Sequence, residues 1–260
     1  MSEHISKKGG FFSKFSPKTN FFLGLGGALG VFFVAGFFVL LSVILDSDGK
    51  IANIVNGGKP AVVAPREQNP SDVPTPDEIK LAEVTKSDWV KGDRKAKISI
   101  VEFSDTECPF CKRFHPTMQR VVDEYGGDVN WIYRHFPLTS IHSKAPKEAE
   151  ATECAGELGG NDAFWNYLDR LFEITPTNNG LDMAQLPEIA EYIGLNKGKF
   201  EKCLNSGKYA QKVKDQARQA QEAGGRGTPH SVVVTPDGQM IPLSGAVPFE
   251  QIKSVIDPLL

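Results

Sequence analysis

The 260-residue chain is poor in cysteine, with four, and in histidine, with five, and it has no basic surplus: 29 Lys and Arg stand against 32 Asp and Glu, for a formal charge of −3. Without that surplus there is no electrostatic footprint for nucleic acid. The cysteines do not supply two paired metal clamps either. Cys108 and Cys111 form one close pair, while Cys154 and Cys203 lie far apart, so a four-ligand structural zinc site is not assembled from this spacing. His115, four residues after Cys111, is read as a solvated helix residue. There is no internal repeat. The 40% hydrophobic and 23% charged content describes an ordinary globular protein with room for one or two domains.

One stretch lacks charge altogether. Phe21 to Leu45, "FFLGLGGALGVFFVAGFFVLLSVIL", would rise to roughly 37 Å as a helix, enough for about 30 Å of bilayer hydrocarbon. A cleaved signal peptide needs a shorter apolar region and a small-x-small cleavage site, and "ILDSDGK" offers none. No cysteine near the end of the run is available to accept a lipid. We therefore expect one transmembrane signal anchor at 21–45. Lys7, Lys8, Lys14 and Lys18 precede the span and Asp46 and Asp48 follow it, which predicts a cytoplasmic tail at 1–20 and the bulk of the chain outside. Gly26 and Gly30 form a GxxxG pair, a weak signal for pairing of spans. Residues 46–80, including "GGKPAVVAPREQNPSDVPTP", mix Pro, Gly and polar residues without periodicity and read as a flexible linker.

Periodicity resumes beyond it. "KISIVEF" (Lys97–Phe103) alternates and is rich in β-branched residues, which predicts a strand. A helix follows from Cys108 to about Tyr125, with Phe114, Met118, Val121 and Val122 at helical spacing and Gly126-Gly127 as its stop. "DVNWIYRHF" is the next strand. Residues from about 143 to 225 are almost wholly helical in pattern, broken at Gly159-Gly160, "TPTNNG" and "GLNKGK". "HSVVVTPDGQMIPLSG" then reads as two strands around a Pro-Asp-Gly turn, and a last helix starts near Pro248. The order is βαβ, a helical insertion, then ββα, an α/β arrangement. The aromatic stripe of "AFWNYLDRLF" (Ala163–Phe172) is assigned to packed core.

The Cys108-Pro109-Phe110-Cys111 pair falls where a strand turns into a helix. Unpaired backbone N–H groups and the helix dipole favour an anion there, and a thiolate is one. An ordinary cysteine with pKa about 8.5 is only about 3% thiolate at pH 7, and a helix N-terminus lowers that pKa. Acidity at Cys108 stabilises the reduced pair and makes its disulfide oxidising. Cys111, one turn further in, is expected to be more buried and to act as the resolving thiol. Asp105 and Glu107 are expected to oppose the thiolate and Lys112 and Arg113 to favour it. Glu102 sits inside the predicted strand; from the residues alone it is either a surface carboxylate on the polar face or a buried one.

"VEFSDTECPFC", "YRHFPL", "AEATECAG" and "GTPHSVVV" together closely resemble the DsbA-type thiol:disulfide oxidoreductases of the thioredoxin superfamily, over roughly residues 84–260. The resemblance implies a thioredoxin fold with a large helical insertion (domain 81–260, insertion at about 143–225) and an extracytoplasmic thiol oxidase. It places the family's cis-proline loop at Thr228-Pro229, with the residue before the proline pairing with substrate backbone. Substrate binding is accordingly assigned to Thr228, Pro229, Pro109 and Phe110. Glu102, six residues before Cys108, matches a position where the family often keeps an acid, which implies a buried carboxylate exchanging a proton with Cys111. Many oxidising members carry histidine between the cysteines; Pro109-Phe110 lacks that charge, which implies a moderate oxidant. Outside the cytoplasm Cys154 and Cys203 are expected to form a structural disulfide.

The expected activity is thus donation of the Cys108–Cys111 disulfide to reduced exported proteins, with no cofactor and no metal, and with a membrane quinone-linked thiol oxidase as the reoxidant the family resemblance implies. A disulfide reductase or isomerase with the same site is the nearest alternative, although isomerases usually add a dimerisation domain. A holdase-like binding module with an inert disulfide is the alternative from another class.

Overall fold

The computed structural model describes residues 79–260. The expected cytoplasmic tail, transmembrane anchor, GxxxG pair and nearly all of the linker lie outside the described residues. Among the described residues no helix is long and apolar enough to cross a membrane.

Five strands form one mixed sheet, in the order β1-β3-β2-β4-β5. They are β1 (Trp89–Lys91), β2 (Ile98–Ser104), β3 (Val129–His135), β4 (His230–Val234) and β5 (Met240–Ser244). β2 and β3 run parallel, joined by helix α1 (Pro109–Tyr125), and the other neighbours are antiparallel. Between β3 and β4 come α2 (Ala145–Ile174), α3 (Gln185–Tyr192), α4 (Lys197–Ser206) and α5 (Ala210–Glu222), and α6 (Phe249–Ile256) follows β5. This is a thioredoxin fold with a helical insertion. The three-residue β1, at the sheet edge against β3, has no counterpart in the sequence reading. It is too short to show an alternating pattern.

β2 lies second from neither edge but in the centre of the sheet, so both of its faces are covered. Ile98 and Ile100 pack with Phe114, Met118 and Val121 of α1 and with Ile252 and Ile256 of α6. Val101 and Phe103 face the opposite side and pack with Ile132, Val232 and Ala220 of α5. Side chains alternate along a strand, so Glu102 shares the face of Ile98 and Ile100, under α1.

The insertion has its own core, in which Tyr167, Leu171, Leu186, Ile189, Phe200 and Leu204 surround a Cys154–Cys203 disulfide. The expected break at Gly159-Gly160 is present as a kink inside α2: Gly160 is non-helical, with a φ of 78° that glycine tolerates, and helix continues beyond it. Its earlier half lies so close to β1 that a Cβ at Gly156 would stand 2.3 Å from the Trp89 ring. The "AFWNYLDRLF" stripe is core, with Phe164, Trp165, Tyr167, Leu168, Leu171 and Phe172 all buried.

His115 departs from the sequence reading. It is 5% exposed, lies between Trp131 and Phe172, and bonds Asp169 of α2 through Nε2 at 2.6 Å. The face of α1 that carries it is covered by the insertion, which spacing along α1 alone does not reveal.

The Cys154–Cys203 bridge spans a sequence separation of 49 and on the chain-entropy model contributes about 4 kcal/mol. Replacing both cysteines by alanine is expected to lower the melting temperature while Cys108 and Cys111 still cycle between thiol and disulfide. Mass mapping of oxidised protein that finds Cys154 and Cys203 as free thiols would contradict this.

Candidate active site

β2 ends at Ser104, and a tight turn carries the chain into α1. The Cys108 N–H donates to the Asp105 carbonyl at 3.1 Å and the Lys112 N–H to the Cys108 carbonyl at 3.0 Å. Cys108 is therefore the N-cap, with extended φ and ψ of −80° and 122°, and Pro109 takes the first helical position, where its missing N–H costs nothing. Cys111 follows one turn later on the same face.

Both sulfurs are free thiols, but their surroundings differ. Cys108 is 4% exposed and Cys111 is fully buried. The Cys108 sulfur is less open than a nucleophile at a helix start was expected to be, because the loop before β4 lies against it: the thiol donates to the Thr228 carbonyl at 3.4 Å. The peptide between Thr228 and Pro229 is cis. Pro109 and Phe110 are exposed beside it, Thr228 is half-buried and Pro229 is buried.

Hydrogen bonding from Cys111 lowers the Cys108 pKa to about 6, against the cost of burial and with support from Thr228 and the backbone N–H groups of Cys111 and Phe110. Burial, and then the neighbouring Cys108, push the Cys111 thiol well above its ordinary value. The Asp105 N–H also points at the Cys111 sulfur, at 3.5 Å. The flanking charges play a smaller part than expected from sequence. Lys112 donates to the carbonyls of Glu173 and Thr175, and Arg113 lies over the Phe110 ring. Asp105 accepts from the Leu138 N–H at 2.7 Å and pairs with His142 at 2.8 Å, and Glu107 is turned inward. The acidity of Cys108 is thus built from hydrogen bonds rather than from lysine and arginine.

Glu102 is 1% exposed, under α1. Burial pushes its carboxyl up to about 7, with Ser104 and Trp131 opposing and the Cys108 charge adding to the rise. Its charge in turn helps to raise Cys111. The group is a buried acid that exchanges its proton near neutral pH. The Asp105–His142 pair went unrecognised in the sequence: the two residues belong to different loops, and only the parallel β2–β3 register brings those loops together. Among the described residues, no group of His, Cys, Asp and Glu is arranged to hold a metal ion.

The Glu102 shift has a stability consequence. A carboxyl whose pKa is higher in the folded state keeps its proton after the unfolded chain has lost it, so its contribution falls as pH rises from about 4.5 to about 7 and is constant above. Glu102→Gln, which does not titrate, is therefore expected to gain on the wild type across that window, by on the order of 3 kcal/mol at pH 8. Denaturant unfolding of both proteins at pH 4, 6 and 8 measures it; a difference independent of pH would contradict the assignment.

Comparison with known proteins places this geometry. Residues 84–257 match the family model described as Thioredoxin. The structure of Pseudomonas aeruginosa DsbA2 aligns with a TM-score of 0.59 and 31% identity, over 68% of this chain and 97% of that one. Wolbachia pipientis alpha-DsbA1 aligns with a TM-score of 0.59 and 25% identity, over 71% and 96%. BdbD from Bacillus subtilis, at 22% identity and a TM-score of 0.59, shares the fold. A segment of 142 residues, 55% of this chain, is 33% identical to the Na(+)/H(+) antiporter NhaA 3 of Salinispora tropica and covers 21% of its length, so the chain spans about a fifth of the curated relatives it matches. The chain belongs to the thioredoxin family, among its DsbA-type thiol:disulfide oxidoreductases.

Proposed function

We propose that the protein is a membrane-tethered, extracytoplasmic oxidase that introduces disulfides into reduced exported proteins by exchange through Cys108 and Cys111. The observation that carries this reading is the split in acidity between the two sulfurs. Lowering the Cys108 pKa from 9.0 to about 6 corresponds to about 4 kcal/mol favouring the reduced pair at high pH, and raising Cys111 costs nothing while it remains a neutral thiol. A pair that prefers to be reduced gives its disulfide away.

In the oxidised enzyme a client thiolate attacks the Cys108 sulfur, the only one of the two with any exposure. The Cys108–Cys111 bond breaks, a client–Cys108 bond forms, and Cys111 leaves as a thiolate. Glu102, protonated in part at neutral pH, supplies the proton that Cys111 needs in its buried position. A second client thiolate then attacks the client sulfur of the mixed disulfide and releases Cys108 as the stable thiolate. Two client thiols lose two electrons and two protons in all; the enzyme ends reduced, with one proton on Cys111 by way of Glu102, the other in solvent, and Cys108 as the thiolate. The main chain at Thr228, beside the Cys108 sulfur, is suited to hold the client as an added extended strand, with Pro109, Phe110 and Pro229 flanking it. Reoxidation is assigned to a membrane quinone-linked thiol oxidase. The uncharged span at 21–45 and the lysines before it support single-pass tethering with a cytoplasmic N-terminus.

Cys111→Ser leaves Cys108 without an internal partner. Incubated with a client peptide whose cysteine is activated as a mixed disulfide, this variant is expected to accumulate as a covalent adduct at Cys108, and Cys108→Ser is expected to form none. Wild-type enzyme held oxidised should convert a reduced two-cysteine peptide to its disulfide faster than the reduced enzyme opens that disulfide. The opposite ranking would favour the reductase reading, and no adduct with Cys111→Ser would remove the redox function.

A further inference from the structure

Two glutamates with no part in the exchange chemistry lie directly behind the nucleophile. Glu107, the residue before Cys108, and Glu148, in the first turns of α2, are both 0% exposed. Glu148 Oε2 accepts from the Thr106 hydroxyl at 2.7 Å, and Glu107 Oε2 accepts the Asn179 N–H. The second oxygen of each carboxyl is buried with no donor among the described residues. Lys144, the N-cap of α2, and Lys147, in its first turn, direct their ammonium groups to the carbonyls of Leu181 and Leu204, and Lys147 also pairs with Glu150.

Two bare carboxylates in a dry interior repel each other and leave two acceptors unsatisfied. A single proton between them turns one into a donor and satisfies both. What the pair holds is a strained turn. Thr177, Asn178 and Asn179 have φ of 66°, 52° and 63°, a left-handed run that non-glycine residues seldom adopt. Asn178 donates its N–H to the Glu107 carbonyl at 2.8 Å, and Asn179 donates to the Glu107 side chain. Asn179 also ties the turn to the loop after β3, through its Nδ2 to the Ile141 carbonyl at 2.8 Å.

We infer that Glu107 and Glu148 share one proton, and that this acid–carboxylate pair is a positioning device that fixes the peptide before Cys108 against the Thr177–Asn179 turn. It acts on the nucleophile through the backbone, since Glu107 and Cys108 are neighbours in the chain. Burial and the facing Glu107 push Glu148 up to about 9, Thr106 opposes, and Asp105, itself paired with His142, adds to the rise. Tyr167, further along α2, is the other titratable group that senses Glu148, and its hydroxyl is committed to the Leu186 carbonyl. Above about pH 9 the shared proton is lost, the two carboxylates repel, and the turn beside Cys108 loosens.

Two measurements test the pair. In the infrared spectrum at pH 8, where Glu102 is mostly ionised, the wild type is expected to retain the carbonyl stretch of a protonated carboxylic acid, and Glu148→Gln is expected to lose it. In the reduced protein, the rate of Cys108 alkylation is expected to fall above about pH 9 in the wild type and not in Glu148→Gln, whose amide donates without titrating. Glu148→Leu, which strands Glu107, is expected to react about tenfold more slowly at pH 7 than Glu148→Gln. The alkylation arm rests on the thiol–disulfide reading of Cys108 and the infrared arm does not, so the two fail separately. Absence of the acid band from the wild type at pH 8, or equal alkylation rates for the Gln and Leu variants, would overturn the inference. Should Glu148→Leu not fold, the infrared comparison of wild type with Glu148→Gln decides alone.

Discussion

The active site depends on one hydrogen bond, from the buried Cys111 thiol to the Cys108 sulfur across the first turn of α1. It is the largest contribution to Cys108 acidity, while burial first and then the same contact raise Cys111. That contact, together with the burial of Cys111, makes two chemically unlike sulfurs from two identical side chains. The helix start is necessary for it, because Cys108 at the N-cap and Cys111 one turn later lie on one face. The rest of the fold keeps one sulfur dry and the other in reach. Cys111 is fully buried within the core around α1, while the loop before β4 touches Cys108 without sealing it.

In the proposed exchange the buried leaving group needs a proton, and the sheet is what places a carboxyl to give it. β2 is the central strand, so its side chains alternate between two covered faces, and the face that carries Ile98 and Ile100 also carries Glu102. The same burial that makes this position costly for a carboxylate brings its titration near pH 7. On the proposed mechanism, stability given up there serves function: the position that an uncharged amide would stabilise is held by the acid assigned to give Cys111 its proton.

Much of this was legible in the chain. The alternation of "KISIVEF", the stop at Gly126-Gly127 and the Pro-Asp-Gly turn are local signals, and the elements they predict are present to within about two residues. The order of segments indicated an α/β arrangement with an insertion, and the resemblance carried by the four motifs implied the thioredoxin fold. Residues whose surroundings come from distant parts of the chain were read less well. His115 was expected in solvent because nothing within α1 announces that α2 covers it. Asp105 and Glu107 were weighed as charges acting on a thiolate, whereas each is engaged elsewhere, one by His142 and one by the turn at Asn179. Spacing along a helix locates neighbours a turn away; it does not report which carboxylates the tertiary fold will turn inward.

The account stands on the unequal acidity of the two thiols, and pH-dependent alkylation of the reduced protein, read separately at each cysteine by peptide mass analysis, tests it most directly. Cys108 is predicted to react with a midpoint near pH 6 and Cys111 to stay unmodified until well above the range of an ordinary thiol. A common midpoint for both cysteines, or faster modification of Cys111 than of Cys108 at pH 7, would contradict it.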